Sequence, residues 1–149
     1  MGIVLAGNLY ATQISIDIGY KRKLPYNEIR NLLDDVLTEM GYIVLGVEVG
    51  AWEVNWGSGS YPKGYKLTQA GADVLITKYT DNTSDLERVL DDKLDEIGCA
   101  CFGVGYDTVC YEPYWLNTIA RWQHKTPEEI YDILDDRYKD PNNDYFDED

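Results

Sequence analysis

The chain has 149 residues, 44% of them hydrophobic and 13% aromatic, so it suits one domain with a real core. Its formal charge is −14, and the excess is lopsided: residues 1–80 carry 8 acids and 7 bases, residues 81–149 carry 19 acids and 6 bases. Such a field repels nucleic acid and anionic membranes, which excludes direct nucleic-acid binding as a first expectation and favours a positively charged partner.

The first residues, Met1 to Gly7, lack the basic lead and apolar length of a signal peptide. Gly2 lacks the downstream Ser or Thr of a myristoylation site, because Ala6 stands there. With three cysteines and no apolar run long enough to span a membrane, the sequence reads as cytoplasmic, in a host cell if the protein is viral. Ile14, Ile16 and Ile18 alternate with polar residues, the pattern of a half-buried strand. The one basic cluster, Lys21-Arg22-Lys23, follows it.

Ile29, Leu32, Leu33, Val36, Leu37 and Met40 then recur at helical spacing, with Gly41 as the stop. Ile43, Leu45, Val47 and Val49 alternate in a strand over 43–56 that bends at Gly50. A Gly-rich stretch, 57–64, joins this half to the next strand, 72–79. The stretch lacks the Gly-Lys-Ser/Thr ending of a phosphate-binding loop, and no capped helix follows it. Ser84 and Glu87 have capping-box spacing ahead of Leu86, Val89, Leu90, Leu94 and Ile97, and Gly98 ends that helix. A second long strand, 99–111, bends near Gly103–Gly105.

These two halves repeat. Residues 32–49 and 89–106 are identical at 8 of 18 ungapped positions, including Gly41/Gly98 and Gly46/Gly103. One βαβ unit used twice predicts an α+β fold, a ferredoxin-like βαββαβ sandwich, with repeats at about 10–56 and 70–111 inside a core domain, 1–112. Residues 113–140 are expected to form helices packed on that core, and 141–149 a disordered acidic tail. Trp115, Leu116 and Ile119 suit a short helix; Thr126-Pro127-Glu128-Glu129 is a helix start, with Ile130, Ile133, Leu134 and Tyr138 as the apolar stripe. If Ala100, Phe102 and Val104 lie under the repeat helices, Cys99, Cys101, Gly103 and Gly105 line the open sheet face, and Trp115, Leu116, Ile119 and Trp122 cover part of it.

Carboxylates on the helix faces are the leading candidate site. Asp34, Asp35 and Glu39 oppose the first apolar stripe; Asp85, Asp91, Asp92, Asp95 and Glu96 oppose the second; Glu128, Glu129, Asp132, Asp135 and Asp136 repeat the theme on the last helix. The ordinary meaning of such faces is solubility. Few bases are interleaved, however, and like charges on one face cost stability, which argues for a surface that competes for a groove built to track phosphates. Trp52, Trp56, Tyr61 and Tyr65 form a possible ligand or contact loop.

Other chemistries find less support. Cys99, Cys101 and Cys110, with the single histidine His124, lack the turn spacing of a structural zinc site, and small buried thiols are the commoner meaning. Asp140, Asn142 and Asp144 alternate as in a calcium loop, but the sharp-turn glycine is missing. No nucleophile context accompanies His124. The expectation is therefore a non-enzymatic protein without metal or cofactor: an acidic inhibitor of a basic partner, a nuclease or other nucleic-acid-binding protein. Anti-CRISPR, anti-restriction and nuclease-immunity proteins share this size and acidity, a likeness of physical type that rests on no family motif. A regulatory or small-ligand module is the alternative and a small hydrolase the third reading; a homodimer is compatible with each.

Overall fold

The computed structural model describes residues 3–5, 9–53, 64–80, 83–112, 114–136 and 145–147. In chain order they form β1 (Ile3–Leu5), β2 (Leu9–Tyr20), α1 (Tyr26–Glu39), β3 (Ile43–Glu53), β4 (Lys66–Leu75), a 3-10 turn (Thr83–Asp85), α2 (Leu86–Asp95), β5 (Ala100–Tyr111), α3 (Trp115–Trp122), α4 (Pro127–Ile133) and β6 (Tyr145–Asp147). The fold is α+β: a four-stranded antiparallel sheet of order β3-β4-β2-β5 and four α-helices. No described helix is long and apolar enough to cross a membrane.

The sheet is built from its middle outward. β2 pairs with β4 from Thr12↔Val74 to Tyr20↔Lys66 and with β5 from Leu9↔Tyr111 to Gly19↔Ala100. The even-numbered residues Ile14, Ile16 and Ile18 face one side and are fully buried with Ala70, Ala72 and Val74 of β4. Onto that side α1 lays Ile29, Leu33, Val36 and Leu37, and α2 lays Leu86, Leu90 and Leu94. Each such side chain contributes about 1.5–3 kcal/mol on burial, so the two helices are held by their stripes.

Both repeat helices end on the expected glycine, with φ +95° at Gly41 and +76° at Gly98. The start of α2 differs from expectation: Asp85, the last residue of the 3-10 turn, occupies its N-cap, and its side chain makes no capping hydrogen bond. The strand expected at 72–79 is displaced toward the N-terminus, to Lys66–Leu75. Residues beyond it turn to pin the end of α1 instead: the Thr77 and Thr80 hydroxyls donate to the Gly41 carbonyl at 2.9 and 3.2 Å.

The duplication includes a bulge. In β3, Leu45 is an extra residue between the pairs Val44↔Val74 and Gly46↔Asp73. In β5, Phe102 is the extra residue between Cys101↔Ile18 and Gly103↔Asp17. These are matched repeat positions, 57 residues apart. A bulge sets two residues against one, so side-chain alternation changes phase there. This corrects the expected facing of β5: Val104 does lie under the helices, but so do Cys99 and Cys101. Phe102 lies beyond Gly19, against Tyr65 with ring centroids 5.4 Å apart. β3 bends again past Gly50, at φ +75°.

Odd-numbered Leu9 and Ala11 of β2 face the other side and join Ile43 and Leu75 in a second cluster. α3 and α4 cover it with Leu116, Ile119, Ala120, Ile130 and Tyr131, joined by Leu134 just past the end of α4. Trp115 packs at its margin, whereas Trp122, expected to cover the sheet, is 53% exposed and touches Trp115 edge-on at 5.9 Å. Thr126 caps α4 as the sequence predicts: its side chain accepts from Glu129 N–H, and Glu129 accepts from Thr126 N–H. Residues 76–78 are stitched to the exit of α4 by Lys78 N–H to Ile133 O and Asp135 N–H to Ile76 O, both 2.9 Å. At the terminus, Tyr145–Asp147 pairs antiparallel with Ile3–Leu5, where a disordered tail was expected.

Candidate protein-binding surface

The α1–α2 layer concentrates charge because its inner stripes are apolar and most of its exposed positions are ionic. Residues 26–39 and 83–96 hold ten acids and three bases, half of the chain's formal excess. Of the expected site residues, Asp85, Asp91, Asp92, Asp95 and Glu96 are all exposed on α2 or at its ends, and Asp34, Asp35 and Glu39 are exposed on α1. Two of the three bases already sit against acids of their own helix: Arg88 lies 4.0 Å from Asp85 and 3.8 Å from Asp92, and Lys93 lies 3.8 Å from Glu96. Such exposed pairs are worth about 0–1 kcal/mol, so they leave most of the field intact.

Asp91 has a local task. Its Oδ1 accepts the Cys101 backbone N–H at 3.1 Å, occupying an amide on β5, an outer strand of the sheet. Asp107 Oδ1 takes the Thr108 N–H in the same way. Carboxylates on edge amides deter pairing with a foreign strand.

The acids of the last helix do not extend this surface. Glu128, Glu129 and Asp132 belong to α4, and Asp135 and Asp136 follow it, whereas α4 packs on the opposite face of the sheet from α2. The reading of these helix faces as one surface is corrected by this placement: the sheet separates Asp85, Asp91, Asp92, Asp95 and Glu96 from Glu128, Glu129, Asp132, Asp135 and Asp136. Glu129, moreover, is engaged at the helix start, where the hydrogen bond from Thr126 N–H holds its carboxyl below the usual range.

Between α1 and α2 runs an open groove of about 430 Å³. Leu32, Val36 and Ile97 form its floor; Glu28, Asp35 and Glu39 line one wall, Lys93 and Glu96 the other. Glu28 escaped the sequence reading. The signal was there, since Glu28, Asp35 and Glu39 are spaced i, i+7, i+11 and so share one side of a helix. Burial, followed by the Glu28 charge, raises the Cys99 thiol pKa.

The uncovered part of the other sheet face is polar. Gln13, Ser15 and Asp17 of β2 meet Asp73, Gly71 and Gln69 of β4 and Asp107, Gly105 and Gly103 of β5 in register. Asp73 accepts from the Tyr111 hydroxyl at 2.8 Å, and Asp17 from Gln69 at 3.3 Å. Burial, followed by Asp73, raises the Tyr111 pKa.

Of the expected contact loop, Tyr65 stands half-buried against Phe102, with Lys21 Nζ 5.0 Å from its ring centre. Trp56, Tyr61 and the side chain of Trp52 lie outside the described residues. Cys99 is buried, Cys101 half-buried on the same side, and Cys110 exposed. His124 is exposed at φ +54°. Among the described residues, no three His, Cys, Asp or Glu side chains converge as metal ligands. Comparison with family models, curated proteins and solved structures finds no match.

Proposed function

We propose that this chain is a small, non-catalytic protein-binding inhibitor that works in the cytoplasm and presents its α1–α2 layer to a basic, nucleic-acid-handling protein. A surface that tracks phosphates is lined with Lys and Arg. The observation that carries the proposal is the helix layer itself: ten acids against three bases, on two helices packed side by side over one sheet face. The expected partner-binding set thereby narrows to Asp85, Asp92, Asp95 and Glu96 of the second half, joined by Glu28, Asp34, Asp35 and Glu39 of the first. Asp91 contributes charge while guarding the sheet edge.

The scaffold is proposed to be ferredoxin-like. Supporting this are the βαββαβ order of the core elements, the antiparallel sheet order β3-β4-β2-β5, and helices α1 and α2 on one face.

The test is titration against a panel of basic nucleases and other nucleic-acid-binding proteins, with displacement of labelled duplex as the readout. Binding is expected to fall steeply as salt rises from about 50 to about 500 mM, because the screening length for exposed charges shortens from about 14 Å to about 4 Å over that range. Affinity that does not change with salt, or no binding across the panel, would sink the proposal.

A further inference from the structure

We infer that the α1–α2 groove is an anchor site for an arginine side chain of the basic partner. The inference rests on the proposed function, whose surface it sharpens from a diffuse field to one pocket. Three properties of the groove select the ligand. Its floor, Leu32, Val36 and Ile97, is apolar, which suits a methylene stem and offers a bare inorganic cation nothing. Its walls carry four carboxylates, Glu28, Asp35, Glu39 and Glu96, and a single base, Lys93. It is open to solvent along its length, so a single side chain can enter from outside and reach the floor between the two walls.

Arginine fits better than lysine. A guanidinium is less strongly hydrated than an ammonium, so it gives up water more readily above an apolar floor. Its planar fork engages carboxylates from two sides, and here they stand on two walls. Among the described residues, Glu28, Asp35 and Glu39 have no ion pair, so the wall on α1 meets the ligand with its charge intact.

The experiment uses the full chain and two blocked peptides, Ac-Ala-Ala-Arg-Ala-Ala-Arg-Ala-Ala-NH2 and its lysine twin, with amide chemical-shift titration giving Kd. Two triple variants change charge equally. Glu28→Gln/Asp35→Asn/Glu39→Gln neutralises the α1 wall; Asp34→Asn/Asp92→Asn/Asp95→Asn neutralises acids of the same layer outside the groove. All six side chains are exposed, and an unchanged thermal melt verifies the fold of each variant. The expected result is shifts centred on Leu32, Val36 and Ile97, at least tenfold weaker arginine-peptide binding in the wall variant, at most threefold in the other, and weaker binding of the lysine twin. Equal weakening by both variants, or equal affinity of the two peptides, overturns the anchor and leaves the acidic layer as a diffuse field. Failure of the arginine peptide to bind the parent protein also overturns the anchor, and the nuclease panel then decides the proposed function separately.

Discussion

Gly41 and Gly98 occupy the same position in the two repeats, yet substituting them should not cost the same. Both have left-handed backbone, φ +95° and +76°, where an added Cβ carries about 1–2 kcal/mol of strain. At Gly98 that is the whole penalty, since a Cβ there has nothing within 4 Å. At Gly41 the Cβ would stand 2.7 Å from the Tyr79 carbonyl oxygen and 2.8 Å from Thr80 Cα, both backbone atoms that cannot rotate away. Relief requires moving the 77–80 turn, whose threonine hydroxyls hold the Gly41 carbonyl. Overpacking adds about 1–3 kcal/mol and a weakened hydrogen bond about 1 kcal/mol more. Gly41→Ala should therefore cost about 3–6 kcal/mol and Gly98→Ala about 1–2 kcal/mol, read from urea unfolding midpoints at constant slope. In a thermal melt each kcal/mol lowers Tm by about 2–4 °C at this chain length. Equal losses at the two glycines would refute the claim that the 77–80 turn closes over the end of α1.

Three further outcomes follow from single contacts. Asp91→Ala removes the acceptor of the Cys101 edge amide; hydrogen exchange at that amide should accelerate at least tenfold while central β2 amides stay protected, and an unchanged rate would contradict the guarding role. Glu129, with its pKa lowered by the Thr126 amide, contributes stability that is fully present above the ordinary glutamate value of about 4.3 and lost as pH falls through the lower folded one. The stability gap between the parent and Glu129→Gln should thus be constant near neutrality and close below about pH 4 in pH-series melts. Burial pushes the Cys101 thiol up to about 11, and Cys99 is buried, so a thiol reagent near neutral pH should modify exposed Cys110 first. Peptide mapping that finds Cys101 modified as fast as Cys110 would count against the placement of β5.

Much of the core was legible in the sequence because its stripes are strongly periodic. The helices built on Ile29–Met40 and Leu86–Ile97, their glycine stops and the Thr126 cap all depend on local rules that act within a few residues. Facing in the long strands was not legible. Leu45 and Phe102 read as ordinary members of an alternating run, and only pairing with β4 and β2 reveals them as extra residues. A bulge is a property of two strands, and its sequence shows one. The same limit applies to the acids: helical spacing places a carboxylate on the outside of its own helix but cannot say which side of the sheet that helix will cover.

That separation has a measurable consequence for partner binding. The outer surfaces of α2 and α4 are divided by the sheet and both helix layers, about 20–30 Å, given helix diameters of about 10–12 Å. Screening decides whether the far group is felt. At physiological ionic strength the Debye length is about 8 Å, so carboxylates on α4 are all but invisible to a partner seated on α1 and α2; at 0.01 M salt it is about 30 Å, and they rejoin the field. Glu128 and Asp132 on α4 can be neutralised without touching the cap formed by Thr126 and Glu129. Glu128→Gln/Asp132→Asn should therefore weaken binding of a basic partner at about 0.01 M salt and leave it unchanged at about 0.15 M. Neutralising Asp92 and Asp95 should weaken it at both. If the α4 variant lost affinity equally at both salt concentrations, the partner would have to touch α4 directly, and the α1–α2 layer would no longer be the whole of the binding surface.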